Sequence, residues 1–139
     1  MNHVLVVDDE EDVLDLVKTV LTGNGYQVTT AKTGEQALIH AVENRPDLIL
    51  LDLVMPGISG LEVCRLLKSK KDFKKVPIIM MSVLDRPIDH QHIEEARADS
   101  FIHKPFDIDQ LLITVDSIQN KKKPTKIENN LEQYFKLHL

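Results

Sequence analysis

Residues 48–60 read LILLDLVMPGISG. An apolar run, Leu48 to Leu51, carries one carboxylate, Asp52, to the end of a strand; a loop with Pro56 and Gly57 follows, and Ser59 opens a helix. A strand apolar at successive positions has both faces covered, as in the middle of a parallel sheet rather than an antiparallel one. An Asp at the end of such a strand is a nucleophile, a metal ligand or a helix cap, and its neighbours decide among the three.

Outward from this stretch the same alternation repeats. Val4-Leu5-Val6-Val7 is a short buried strand ending in Asp8-Asp9-Glu10-Glu11-Asp12, and Val13, Leu16, Val17, Val20 and Leu21 then recur at helical spacing up to Gly23-Asn24-Gly25. Residues 26–30 alternate as a second strand with one wetter side, and Thr33 with Gln36 forms a capping box before a helix on Ala37, Leu38, Ala41 and Val42. Ser59 with Glu62 forms a second box before a helix on Val63, Leu66 and Leu67, which runs out into a polar surface loop over 68–75. Residues 77–82 are a fourth strand, 87–97 a thinly amphipathic helix, and 101–104 a short fifth strand broken by Pro105. Asp107 caps a last helix on Ile108, Leu111, Leu112, Val115 and Ile118.

Strands alternating five times with helices predict an α/β fold with a parallel five-stranded sheet covered on both faces, a three-layer (βα)5 sandwich. The first, third and fourth strands are continuous apolar runs and belong at the centre, whereas the second and fifth look like edges. This fits a known template, the flavodoxin-like order 2-1-3-4-5, whose chemistry lies at the carboxyl ends of strands one and three.

With 139 residues, the chain fits one domain with a real core, residues 1–120, followed by a basic linker and short amphipathic tail over 121–139. The net charge of -5 argues against a nucleic-acid surface on this domain. No apolar stretch approaches the roughly 20 residues of a membrane span, and Met1-Asn2-His3 leads directly into the first strand without a leader pattern, so a cytoplasmic protein is expected. The single cysteine, Cys64, has no ligand-like neighbours and reads as a small buried hydrophobe. Neither a P-loop nor a GxGxxG is present, His90 and His92 lie on different faces of their helix, and His3, His40 and His138 show no constellation.

In this topology Asp8, Asp9 and Asp52 converge. Three carboxylates repel unless a cation sits among them, and a hard ion that keeps waters for a phosphate to replace, Mg²⁺, suits the set. A carboxylate held in this way can attack phosphorus. Ser82, at the end of strand four, can donate to a phosphoryl oxygen, and Lys104, at the end of strand five, can reach it as a point charge. Glu10, Glu11 and Asp12 read more simply as an acidic helix start.

These residues resemble the receiver domain of two-component response regulators over about residues 3–120, through VLVVDDE (4–10), LLDLVMPGISG (50–60), the Ser82 strand end and KPF (104–106). The resemblance implies that Asp52 is the phosphoacceptor, Asp9 a direct Mg²⁺ ligand, Asp8 a ligand mainly through water, and the Val54 backbone carbonyl the remaining protein ligand. It further implies that Lys104 binds the phosphoryl group beside a cis Lys104–Pro105 bond, and that Ser82 and Phe101 form a switch pair. The implied partners are a sensor histidine kinase or phosphotransfer protein and a downstream protein met through the fourth helix, fifth strand and fifth helix, with homodimerisation on phosphorylation. Such a domain catalyses its own phosphoryl acceptance and slow autodephosphorylation and is not an enzyme with a separate substrate. An output domain beyond 121 and a stand-alone receiver are both compatible with the sequence.

Three positions depart from the family pattern: Arg97 stands where Gly is usual, predicting an altered loop; Val83 replaces Ala beside the switch hydroxyl, narrowing access; and Phe101 replaces the commoner Tyr. Val54 and Leu84 are apolar where polar residues can position a hydrolytic water, which predicts a long-lived acyl phosphate. Two other readings remain: a receiver-like interaction module that is never phosphorylated, and an Asp-nucleophile phosphatase similar to haloacid-dehalogenase-like proteins. The second expects an Asp-x-Asp pair after strand one, whereas this chain has adjacent acids.

Overall fold

β1 (His3–Val7), β3 (Leu48–Asp52) and β4 (Ile78–Ser82) are buried at every position, whereas β2 (Gln27–Ala31) and β5 (Ser100–His103) are only partly so. Central strands of a parallel sheet need apolar residues on both faces, and edge strands do not. The sheet accordingly has the order β2-β1-β3-β4-β5 with every neighbouring pair parallel, the flavodoxin-like arrangement. This computed structural model describes residues 2–83, 92 and 94–119. They divide into two compact units, one ending at Phe106 and one beginning at Asp107.

α1 (Glu11–Gly23) connects β1 to β2, α2 (Gly34–Glu43) connects β2 to β3, and α3 (Gly60–Lys68) leads toward β4. The path steps outward from β1 to β2 and then doubles back to β3. Right-handed crossovers therefore set α1 on one face and α2 and α3 on the other. On the second face Leu5, Val7, Ile49, Leu51, Ile78 and Met80 pack with Ala37, Ala41, Val63, Cys64, Leu67 and Phe73. The alternate residues Val4, Val6, Leu48, Leu50, Ile79 and Met81 are equally inaccessible. In each predicted box the hydroxyl half forms: Thr33 Oγ1 accepts from Gln36 N at 3.1 Å, and Ser59 Oγ accepts from Glu62 N at 3.2 Å, while Gln36 Oε1 accepts from Lys32 N at 2.9 Å, one residue before the cap. The last helix, Ile108–Gln119, is capped by Asp107, whose Oδ1 accepts from Gln110 N at 2.7 Å.

Three expectations need correction. The stretch 68–75 is not wholly a solvated loop. Lys68 is buried and donates to Val76 O at 2.7 Å, to Asp99 Oδ2 at 2.8 Å and to Lys74 O at 3.4 Å, and a 3-10 turn, Lys71–Phe73, buries Phe73. On α1 the buried stripe is Leu14, Val17 and Leu21, while Leu16 is 45% exposed. The sheet selects one of two helical stripes that periodicity alone allows. His3 is not isolated either: it is buried, its Nε2 lies 2.7 Å from Thr29 Oγ1, and its backbone N donates to Asp47 Oδ2 at 2.7 Å. Cys64 is buried as expected, and burial pushes its thiol up to about 11. Of the helix expected over 87–97, only 92 and 94–97 are described; Leu84, His90, His138 and the whole 121–139 tail lie outside the described residues.

Candidate functional site

In a parallel sheet every strand delivers its carboxyl end to the same edge, so the residues following β1 and closing β3 become neighbours. Val7 pairs with Leu51, which brings Asp8 beside Asp52. Asp8, Asp9 and Asp52 each offer an oxygen, and these atoms lie within 4.8 Å of one another. Asp8 is fully buried, Asp52 is 6% exposed and Asp9 faces solvent. Asp8 Oδ1 accepts from Glu10 N at 2.9 Å and its Oδ2 from Lys104 Nζ at 2.5 Å; the same ammonium stands 3.6 Å from Asp52 Oδ1.

The backbone around Asp52 is held from the far side. Gly60 N donates to Leu53 O at 3.0 Å, and a Cβ at Gly60 would overlap the Asp52 carbonyl oxygen. The start of α3 can approach the end of β3 this closely only because residue 60 has no side chain. The spacing of MPGISG placed Gly60 within the motif, but its role becomes visible only in this contact.

Burial is the main force on Asp52, and the Asp8 charge adds to it: together with a hydrogen bond that the protonated carboxyl donates to Asp9 they raise its pKa to about 7, against the opposing Lys104 charge and the Val54 N–H. Burial opposes the Lys104 ammonium, but the Asp8 hydrogen bond and the charges of Asp52, Asp8 and Glu10 outweigh it and raise that pKa. The cluster thus holds more negative charge than one lysine neutralises. Glu10 belongs to this field as well as to the start of α1: it makes no side-chain cap bond there.

Ser82 closes β4 at 3% exposure, and its backbone O accepts from Lys104 N at 2.8 Å, tying the fifth-strand lysine to the fourth-strand end. Asp52, Ser82 and Lys104 are thereby brought to one edge with Asp8 and Asp9. Phe101 pairs with Met80 in the sheet and is 41% exposed. Val54 is 74% exposed, and its N–H lies 3.4 Å from Asp52 Oδ1. Val83, 60% exposed, borders a cavity of about 310 Å³ with Glu10, Val13, Leu16 and Lys104, so it shapes the approach to the site without being buried in it. The Lys104–Pro105 bond is cis. Arg97 has a left-handed backbone, φ 67°, the conformation a glycine favours.

Three carboxylate donors, two of them buried, an exposed third and a raised Asp52 pKa make a donor set suited to a hard divalent cation.

A family model described as the response regulator receiver domain matches residues 4–116. Response regulator MprA of Mycobacterium bovis is 34% identical over 133 residues, covering 96% of this chain and 57% of that protein. The phosphate regulon transcriptional regulatory protein PhoB of Rhizobium meliloti is 33% identical over 121 residues, covering 87% of this chain and 53% of its own. The chain therefore spans little more than half the length of these relatives. Among solved structures, chemotaxis protein CheY4 of Vibrio cholerae superposes with a TM-score of 0.82 at 32% identity, covering 85% of this chain and 98% of that one. No described helix is long and apolar enough to cross a membrane.

Proposed function

The chain belongs to the response regulator receiver domain family, and on that premise we propose that Asp52 accepts a phosphoryl group from a histidine kinase or phosphotransfer protein. The convergence of Asp8, Asp9 and Asp52 beneath the Lys104 ammonium is the observation that carries this reading. A carboxylate oxygen of Asp52 attacks phosphorus in line with the departing donor nitrogen, giving an acyl phosphate. Asp8, Asp9, Asp52 and the Val54 backbone carbonyl would hold Mg²⁺, which when bound screens the repulsion between the nucleophile and the incoming anion. Lys104, now on Asp8, pairs with a phosphoryl oxygen as negative charge accumulates, and the Ser82 hydroxyl donates to another.

Ser82 and Phe101 are the switch in this reading: the hydroxyl moves onto the phosphoryl group and the half-exposed ring turns inward, altering the face that a downstream protein or a second copy meets. The domain acts on itself alone, within the cytoplasm; residues 1–120 form its body and 121–139 its linker and tail. The exposed apolar side chain of Val54 gives a hydrolytic water no polar hold, so the acyl phosphate is long-lived.

Incubating the protein with a small phosphodonor and Mg²⁺, and weighing it intact, tests the reading. One phosphoryl group is expected, lost in Asp52→Asn and on chelation. Turnover of small phosphate esters without retained phosphate would point to a phosphatase instead, and absence of any incorporation to a non-phosphorylated module. Val54→Asn is expected to shorten the lifetime of the adduct.

A further inference from the structure

The opposite edge of the sheet carries charge of the other sign. Arg45 and Pro46 lie just before β3, and Lys74, Lys75, Val76 and Pro77 just before β4. They border a cavity of about 590 Å³, which adjoins a second of about 520 Å³ lined by Val42, Lys70 and Phe73; Arg45, Lys71 and Asp72 border both. The two form one trough. Arg45, Lys70, Lys71, Lys74 and Lys75 are all exposed, and none takes part in an ion pair among the described residues. Arg45 makes a single long contact, Nη1 to the Asp72 backbone carbonyl at 3.4 Å. Two acids share the trough: Asp72, and Asp47, whose Oδ2 accepts from His3 N. A chain of net charge -5 thus concentrates unpaired cations in one concave strip.

We propose that this trough is a docking site for an acidic protein segment, one carrying several carboxylates around an apolar side chain. Charge complementarity supplies the attraction, and the form of the trough selects the class of partner. Four of its cations are lysines, flexible point charges, with one arginine. Among the described residues no α-helix begins in it, and the single 3-10 turn there, Lys71–Phe73, is too short to present an anion-binding N-terminus. Phosphate-specific sites are instead built from guanidinium forks, helix N-termini or backbone N–H nests. Apolar surface is interleaved with the charge: Val42 is 74% exposed at one end, and the half-buried Pro77 lines the other. Phe73 is 7% exposed, so no ring is presented on which a base could stack. A carboxylate-rich peptide with an apolar anchor meets both features.

The five residues of β3 separate this trough from Asp52 by roughly 16 Å. Docking there leaves the carboxylate edge open, and it does not depend on the phosphoryl chemistry proposed above.

Fluorescence anisotropy with a labelled peptide of glutamates flanking a central leucine tests this, beside the same peptide with glutamine for glutamate and a single-stranded oligonucleotide of equal charge. The acidic peptide is expected to bind, and to weaken about tenfold in Lys71→Glu/Lys74→Glu, about threefold in Val42→Asp, and about fivefold or more as salt rises from about 50 to about 300 mM. Lys18→Glu, on α1, should leave binding unchanged, and circular dichroism checks that each variant folds. Absence of peptide binding, equal binding of the glutamine peptide, tighter binding of the oligonucleotide, or an unaffected double variant would each overturn the proposal.

Discussion

Lys68 and Lys104 are both withdrawn from solvent, with side chains 6% and 13% exposed, yet they sit in opposite electrostatic situations. Lys68 meets two backbone carbonyls and the Asp99 carboxylate, and Asp99 is itself held by Ile78 N at 2.8 Å. Its three protons find three acceptors, and charge meets charge one to one. Lys104 faces two carboxylates with a third nearby, one cation among three anions. A buried ammonium whose partners are all supplied is a structural fastening. A buried cluster with surplus charge leaves work for a ligand, and the surplus locates the chemistry.

The comparison breaks most visibly at the fastening. Lys68→Ala leaves the Val76 carbonyl without its partner and the Asp99 carboxylate with the Ile78 N–H as its remaining hydrogen bond, and should cost about 3 kcal/mol in urea unfolding. If removing Lys68 costs less than removing Lys104, the contrast between the two lysines is wrong. Gly60→Ala drives a methyl into the Asp52 carbonyl and should cost about 2 kcal/mol. Unlike Lys68→Ala, it should also slow phosphoryl incorporation per folded molecule, because it displaces the backbone of the nucleophile.

The surplus charge predicts a pH dependence. The Asp52 pKa, raised to about 7 when folded, exceeds its unfolded value. Its contribution to stability is therefore full below the unfolded pKa and is lost as pH rises through about 7. In metal-free protein Asp52→Asn should match wild type near pH 4 and be clearly the more stable of the two above neutrality; Mg²⁺ should narrow that gap by stabilising the wild type more. Thermal melts across pH, with and without Mg²⁺, check the crossing. The smallest effect belongs to Arg97, whose left-handed backbone should make Arg97→Gly more stable by up to about 1 kcal/mol.

The two lysines also mark how far the sequence can be read. Lys104 was legible because it stands beside Pro105 at the end of a short strand, and topology sends all strand ends to one edge. Asp8, Asp9, Asp52 and Ser82 were legible for the same reason, and the apolar density of each strand separated the central strands from the edges, to which the order 2-1-3-4-5 was fitted as a known arrangement. Lys68 opens the charged run KSKKDFKK, which reads as solvated; its partner Asp99 lies 31 positions away and is brought to it only by folding. Leu14 and Leu16 both satisfy a helical period with Val17 or Val20, and only the sheet decides between them. Glu10 looked like one acid in a helix start, and its electrostatic reach to Lys104 depends on the turn after β1.

The central claim is that the surplus of carboxylates makes Asp52 a phosphoryl acceptor. Reducing the phosphorylated protein with borohydride converts an acyl phosphate into a stable alcohol, and peptide mapping then locates it. A single reduced side chain is expected, at position 52, formed only when Mg²⁺ was present. A reduced residue at Asp8 or Asp9, or phosphate that resists borohydride and stays on another side chain, would contradict it.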